Sequence, residues 1–154
     1  MEEKDVEKDK DYFQVSLKLI LKNQDNDTLL LKGTASDGPF KDTYDLPGGR
    51  IDNHEVDKGL MDILKREIAE EIGQPEIKIN SKPVAACKFL YDHRVDHRDM
   101  PLRIIYLFFE GTLQHGEIEL SDEHSELKWV KLTPDIINTE VAAPLREGLI
   151  QYIS

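Results

Sequence analysis

Three carboxylates and an arginine crowd one short stretch of this chain: Arg66-Glu67-Ile68-Ala69-Glu70-Glu71-Ile72-Gly73. Glu67, Glu70 and Glu71 stand at i, i+3 and i+4, a spacing that gathers side chains along one side of a helix. Left uncompensated, such a cluster repels itself. Several carboxylate oxygens converging on one small region are also what a hard divalent cation requires. A solvated acidic face is the ordinary explanation for glutamates on a helix, since Glu is a common exposed helix former. Two features argue for more. Leu64, Ile68 and Ile72 place the apolar side of the helix next to Glu71, so this carboxylate belongs at the margin of a core. Upstream, Leu46-Pro47-Gly48-Gly49 supplies a double glycine, where backbone approaches a ligand closely. A Gly49 carbonyl beside the glutamates would add one more oxygen.

Taken together, Gly49, five residues, Glu55, and then Arg66, Glu67, Ile68, Glu70, Glu71 and Gly73 resemble the signature of the Nudix hydrolases. Two departures are visible. Ten residues separate Glu55 from Arg66 where the family has seven, and Gln74 occupies the final aliphatic position. The extra residues lengthen the loop before the helix, because the helical register from Leu60 onward is intact. The resemblance implies an α/β fold, an α/β/α sandwich with a mixed sheet. It implies hydrolysis of a diphosphate linkage in a nucleoside diphosphate joined to another moiety. Glu67, Glu70, Glu71 and the Gly49 carbonyl would hold Mg2+, with Mn2+ as a substitute, and the cation would neutralise diphosphate oxygens and activate water. Glu70, Glu71, Arg66 and Glu55 form the catalytic set. Arg66 would orient the glutamates, and Glu55 would support the loop and pair with Arg66, a place that Asp52 or Asp57 could take instead. Arg50 is placed to meet phosphate. The general base would be a glutamate of the box or a later carboxylate, with Glu123 and Glu126 favoured over Glu117 and Glu119 by their position before Trp129.

Two other readings compete. A catalytically silent domain of the same fold could bind a nucleotide as a signal, but such a module would lack metal glutamates and none is missing here. An isomerase acting on a prenyl diphosphate would want a catalytic Cys and Glu pair. Cys87, the one cysteine, sits in Val84-Ala85-Ala86-Cys87 and reads as a small core residue.

The elements that position these residues follow from the hydrophobic periods. Phe13, Val15, Leu17 and Leu19 alternate with Gln14, Ser16 and Lys18, the pattern of a half-buried strand. A polar turn at Asn23 to Asp27 leads to a second strand, Thr28 to Lys32, hairpinned to the first. Tyr44 to Leu46 is a short extended piece. Asp57 to Ile72 is helical, with Leu60, Ile63, Leu64, Ile68 and Ile72 facing a core and Gly73 as its stop. Glu76 to Leu90 is strand-like with a break at Pro83. The apolar run in Leu102 to Leu113 predicts a central strand covered on both faces. Leu127 to Leu132 is a further strand, Thr133-Pro134 opens a helical turn, and Val141 to Ile153 forms a last helix.

Between the strands lies Tyr91-Asp92-His93-Arg94-Val95-Asp96-His97-Arg98-Asp99. It reads as a polar hairpin loop, with Tyr91, Arg94 or Arg98 available to contact phosphate or base. His93 and His97 would suit a metal only on a helix. His115 and His124 read as surface residues and Trp129 as core.

A chain of 154 residues makes one domain, here 12–154, behind a mixed-charge tail over 1–11. The formal net charge of -11 opposes general nucleic-acid binding, yet admits a small nucleotide-like diphosphate bridged by metal ions. No apolar run approaches the roughly twenty residues that span a bilayer, and no signal peptide is visible, so the expected location is cytoplasmic. Dimers are common in the family, and the resemblance admits a homodimer.

Overall fold

The computed structural model describes residues 9–91 and 102–154. Within them, strands β1 (Gln14–Lys22), β2 (Thr28–Gly33), β3 (Tyr44–Asp45) and β4 (Gly48–Arg50) precede helix α1 (Leu60–Ile72). Strands β5 (Glu76–Ile79), β6 (Ala85–Tyr91), β7 (Leu102–His115) and β8 (His124–Val130) follow, and helices α2 (Pro134–Glu140) and α3 (Ala143–Ile153) end the chain. All the strands join in one mixed sheet.

Two long strands, β1 and β7, run parallel through its middle, from Gln14 opposite Ile104 to Lys22 opposite Thr112. Shorter strands divide their outer edges. β6 and β5 share the far edge of β7, both antiparallel to it. On the far edge of β1, β4 pairs with Ser16 to Lys18 and β2 begins at Lys22. β2 in turn carries β3 and β8. The divided edge lets the chain leave β1 and return beside it at Pro47-Gly48-Gly49.

Alternation along β1 sends successive residues to opposite faces. Leu17, Leu19 and Leu21 pack with Phe109 against Ile63, Leu64, Ile68 and Ile72 of α1. Ile20 packs with Ile104, Tyr106 and Phe108 against Leu145 and Leu149 of α3 and Ile137 of α2. The neighbours Phe108 and Phe109 are both fully buried, one in each layer. This is the expected sandwich, a mixed sheet between helices, and β7 is covered on both faces as its apolar run predicts.

Local chemistry sets the element ends. In the β1–β2 turn the Asn23 side-chain oxygen accepts from the Asp25 and Asp27 amides, each at 3.0 Å, and Asn26 takes the left-handed conformation that Asn tolerates. Thr133 accepts from the Ile136 amide at 3.2 Å to cap α2, with Pro134 in its first turn. α1 starts three residues later than its periodicity predicts. Asn53–Glu55 form a separate 3₁₀ turn, and Gly59 is the cap of the helix proper. At the other end Gly73 adopts φ 80, and the last carbonyls find partners outside the helix. The Glu119 amide donates to Ile72 O and the Ser121 amide to Glu71 O, both at 3.0 Å. Among the described residues no helix is long and apolar enough to cross a membrane.

Candidate active site

Arg66 is the hub of the acidic cluster. Its Nε donates to Glu55 Oε2 at 2.5 Å and one terminal nitrogen to Glu55 Oε1 at 2.6 Å, the two-pronged geometry that suits guanidinium and carboxylate. The same nitrogen reaches Glu67 Oε1 at 2.9 Å, and the other reaches both Glu70 oxygens at 3.0 Å. Glu55 comes within reach because the 3₁₀ turn takes up the lengthened loop. The Glu55 amide donates to Asp52 O at 2.9 Å, and the Asp52 amide donates back to Glu55 Oε1 at 3.3 Å. The guanidinium holds the Glu55 carboxyl below its usual range, while the carboxylates hold Arg66 above its own. Asp52 stands farther from Arg66, at 3.8 Å.

Glu71 faces β4, and Glu67 spans from the Arg66 guanidinium to β4. The Gly48 amide donates to Glu71 Oε2 at 3.0 Å. At Gly49 a Cβ would lie 2.6 Å from the Glu67 carboxylate carbon, so the missing side chain is what admits this acid. Burial raises the Glu67 carboxyl and pushes Glu71 up to about 8, against the opposing pull of Lys18 and the Gly48 amide. Asp45 and Glu67 add negative charge around Glu71. One buried and one half-buried carboxylate, beside a side-chain-free backbone, make a hard-oxygen donor set that fits a divalent cation. Glu70 is more exposed and is drawn to Arg66, so the helical spacing delivers two acids to the glycines and a third to the solvent flank.

Asp52, His54 and Glu55 also bring ligand atoms within 4.8 Å of one another. Both Glu55 oxygens are already committed to Arg66, and a cation there would face the guanidinium, so this group is a poor metal holder.

On the opposite side of β4 a cleft of about 320 Å³ opens, lined by Ser16, Lys18, Asp45, Gly49 and Arg50 together with Phe40, Leu102 and Ile104. Gly49 belongs to both places, since it lines the cleft and lies against Glu67. Tyr91 and Tyr106 close the cleft, their hydroxyls 2.5 Å apart, and burial pushes Tyr91 up to about 12. Arg50 reaches Gln14 Oε1 at 3.1 Å and remains exposed at the rim. His93, Arg94, His97 and Arg98 lie outside the described residues.

Glu123 and Glu126 are not in the cleft lining. Glu126 accepts from the Tyr44 hydroxyl at 2.5 Å, and that bond lowers its carboxyl and weakens it as a proton acceptor. Cys87 is buried, with Sγ 3.6 Å from Pro144 O, in keeping with a core thiol.

Sequence reasoning missed four residues here. Lys18, read as the polar side of a half-buried strand, is 5% exposed. Ile20, on the same face of β1, was the signal that this face is covered too. Asp45 and Tyr106 line the cleft without a motif to mark them. His124 is half-buried, not a surface residue, and its Nδ1 has no hydrogen-bond partner among the described residues. Burial lowers its imidazole, with Asp45 and Lys18 close enough to act on it. Trp129 is likewise only half-buried, against the α1 layer.

Glu71 gives a pH test. In metal-free protein its folded form keeps the proton up to about pH 8, while an unfolded glutamate releases it near its usual value of 4.5. Stability from this group is therefore full below about 4.5 and is lost as pH rises through about 8. Glu71→Gln removes the effect yet keeps an acceptor for the Gly48 amide. In EDTA at pH 9 the variant melts above the wild type, and at pH 4.5 the two melt together. Thermal unfolding at the two pH values measures the difference, and equal melting at pH 9 would refute the buried carboxylate.

Comparison with known proteins fits this geometry. The family model described as NUDIX domain matches residues 13–145. Nucleoside triphosphatase NudI of Klebsiella pneumoniae (strain 342) is 31% identical over 127 residues, covering 80% of this chain and 85% of that protein. The crystal structure of a MutT protein from Methanosarcina mazei Go1 superposes with a TM-score of 0.70 at 23% identity, over 92% of this chain and 93% of that one. The NUDIX domain of Shewanella oneidensis NrtR, solved with ADP ribose, gives 0.59 at 20% identity, over 99% and 96%. The sandwich, the helix with its Arg66 hub and the matched span together place the chain in the Nudix hydrolase family, whose reaction class is the hydrolysis of acid anhydrides in phosphorus-containing compounds.

Proposed function

We propose that the protein is a magnesium-dependent pyrophosphohydrolase that cleaves a diphosphate linkage in a nucleotide. One observation carries the reading: half-buried Glu67 and buried Glu71 lie beside Gly48-Gly49, and Gly49 also lines the cleft on the other side of β4. Gly49 has no side chain, so at that position only main chain stands between a ligand in the cleft and Glu67.

Glu67, Glu71 and the Gly49 carbonyl would hold Mg2+, or Mn2+ in its place, with Glu70 completing the set from the solvent flank. The cation would supply charge neutralisation at the diphosphate and a lowered pKa for water. The chain does the rest. Arg66 fixes Glu67 and Glu70 and is itself fixed by Glu55, so the acids keep their geometry as charge moves. Arg50 and Lys18 present positive charge at the cleft. Water attacks one phosphorus, the bridging P–O bond breaks, and the second phosphate departs with the bonding electrons. A carboxylate of the cluster accepts the proton. Tyr91, Tyr106 and Phe40 form the walls for the organic group, and about 320 Å³ suits one nucleoside rather than two. The NudI relative puts nucleoside triphosphates first among substrates to test.

The experiment is a phosphate-release screen over nucleoside triphosphates, nucleotide sugars, ADP-ribose and dinucleoside polyphosphates, with a coupled phosphatase, with and without Mg2+. The reading expects metal-dependent turnover on at least one mononucleotide. Tight nucleotide binding with no turnover on any member would favour the silent signalling module and overturn the proposal.

A further inference from the structure

Lys18 is a cation buried at the wall of the cleft, and its burial asks for more than a general supply of positive charge. Ser16-Leu17-Lys18-Leu19-Ile20-Leu21 is buried throughout, and a lysine in such a run takes an ammonium out of water. Breaking even with a methionine of similar volume is difficult for a buried pair. Nζ lies 3.0 Å from Asp45 Oδ1, 3.2 Å from Asp45 Oδ2 and 3.4 Å from Leu46 O. In the β1–β4 register Lys18 stands opposite Gly48 and Ser16 opposite Arg50. Directly opposed residues share a face, so Lys18 and Arg50 flank the same stretch of glycine backbone, one at the base of the cleft and one at its rim.

We propose that Lys18 is a phosphate-binding residue of the cleft, and that Asp45 holds it in place until a substrate phosphate oxygen takes over the contact. This rests on the pyrophosphohydrolase reading. Asp45 lines the cleft as well, so the ion pair faces the incoming ligand and is not sealed within the core. The exchange is of like for like, an anionic oxygen of the protein for one of the ligand, and needs no movement of β1. Arg50, with its head in solvent, meets the ligand first, and Lys18 anchors it beside Gly49.

The test uses the full chain with Lys18→Met and Asp45→Asn. Titration calorimetry with inorganic diphosphate and Mg2+ reads binding, and steady-state kinetics on the best substrate of the panel separates KM from kcat. Lys18→Met weakens diphosphate binding by about tenfold, the loss of one charge-assisted hydrogen bond, and raises KM more than it lowers kcat. Asp45→Asn removes the competing anion and tightens diphosphate binding, which keeps the proposal testable should Lys18→Met fail to fold. A merely structural ion pair would lower the melting temperature in both variants and leave diphosphate affinity at the wild-type value. That result overturns the proposal, as does an Asp45→Asn variant that binds no tighter, or a wild type that does not bind diphosphate. Wild-type turnover on the panel is scored separately. An inactive wild type defeats the hydrolase reading, whereas an active wild type with an indifferent Lys18→Met defeats only the role of Lys18.

Discussion

Glu71→Gln leaves a folded protein whose turnover falls by about three orders of magnitude, since several kcal/mol of metal-borne charge stabilisation go with the carboxylate. The fold survives because the amide oxygen of Gln still accepts from the Gly48 amide and the side chain keeps its volume. Metal-free, the variant is the more stable of the two above neutral pH, because it no longer places a charge where burial raises the carboxyl to about 8. Activity and stability thus move in opposite directions at one residue, the expected mark of a buried functional charge. Adding Mg2+ should raise the melting temperature of the wild type and leave that of the variant nearly unmoved. Paired kinetics and melting curves with and without Mg2+ check both halves. A variant with near-normal turnover removes Glu71 from the proposed metal set.

Gly48→Ala is expected to be the most damaging single-methyl change near the site. A Cβ there would sit 1.9 Å from the Leu17 carbonyl oxygen, a backbone atom of the adjacent central strand, and φ is +133, outside what side-chain-bearing residues adopt. Strain and overpacking together cost about 3–6 kcal/mol, which lowers the melting temperature by about 10–20 °C in a domain of this size. Gly49→Ala is the informative contrast. Its Cβ meets the far end of Glu67, a side chain that can swing aside, so the fold holds while the acid leaves its place and turnover drops. Melting of Gly48→Ala within a degree or two of the wild type would mean that β4 does not lie against β1 as described.

The architecture was largely legible because its periods are clean. Leu17, Leu19 and Leu21 alternate, Leu64, Ile68 and Ile72 recur at fours, and Thr133-Pro134 is a helix start that depends on nothing distant. The Arg66 and Glu67 to Glu71 constellation was legible for the same reason, because helical spacing is local. Other features depended on contacts that no local pattern encodes. Whether Glu55 could still reach Arg66 across a longer loop turned on the 3₁₀ turn at Asn53–Glu55. The separate destination of Glu70 turned on which acids the guanidinium takes and which the glycines admit. Lys18, Asp45 and His124 come together from β1, β3 and β8, strands that meet only in the assembled sheet. Alternation alone assigns a lysine to solvent, and its burial depends on Asp45 and Leu46, which meet it from 27 and 28 residues away.

The two main-chain bonds from Glu119 and Ser121 to the end of α1 bear on how this scaffold can diversify. They fasten the segment after β7 to the acid-bearing helix through amides that every residue but proline possesses. Ile118 and Leu120 of that connection pack on the α1 layer, but its exposed side chains can drift while its path stays constant. Such changes leave the acids where they are, whereas proline at 119 or 121 would remove an amide that holds the end of α1.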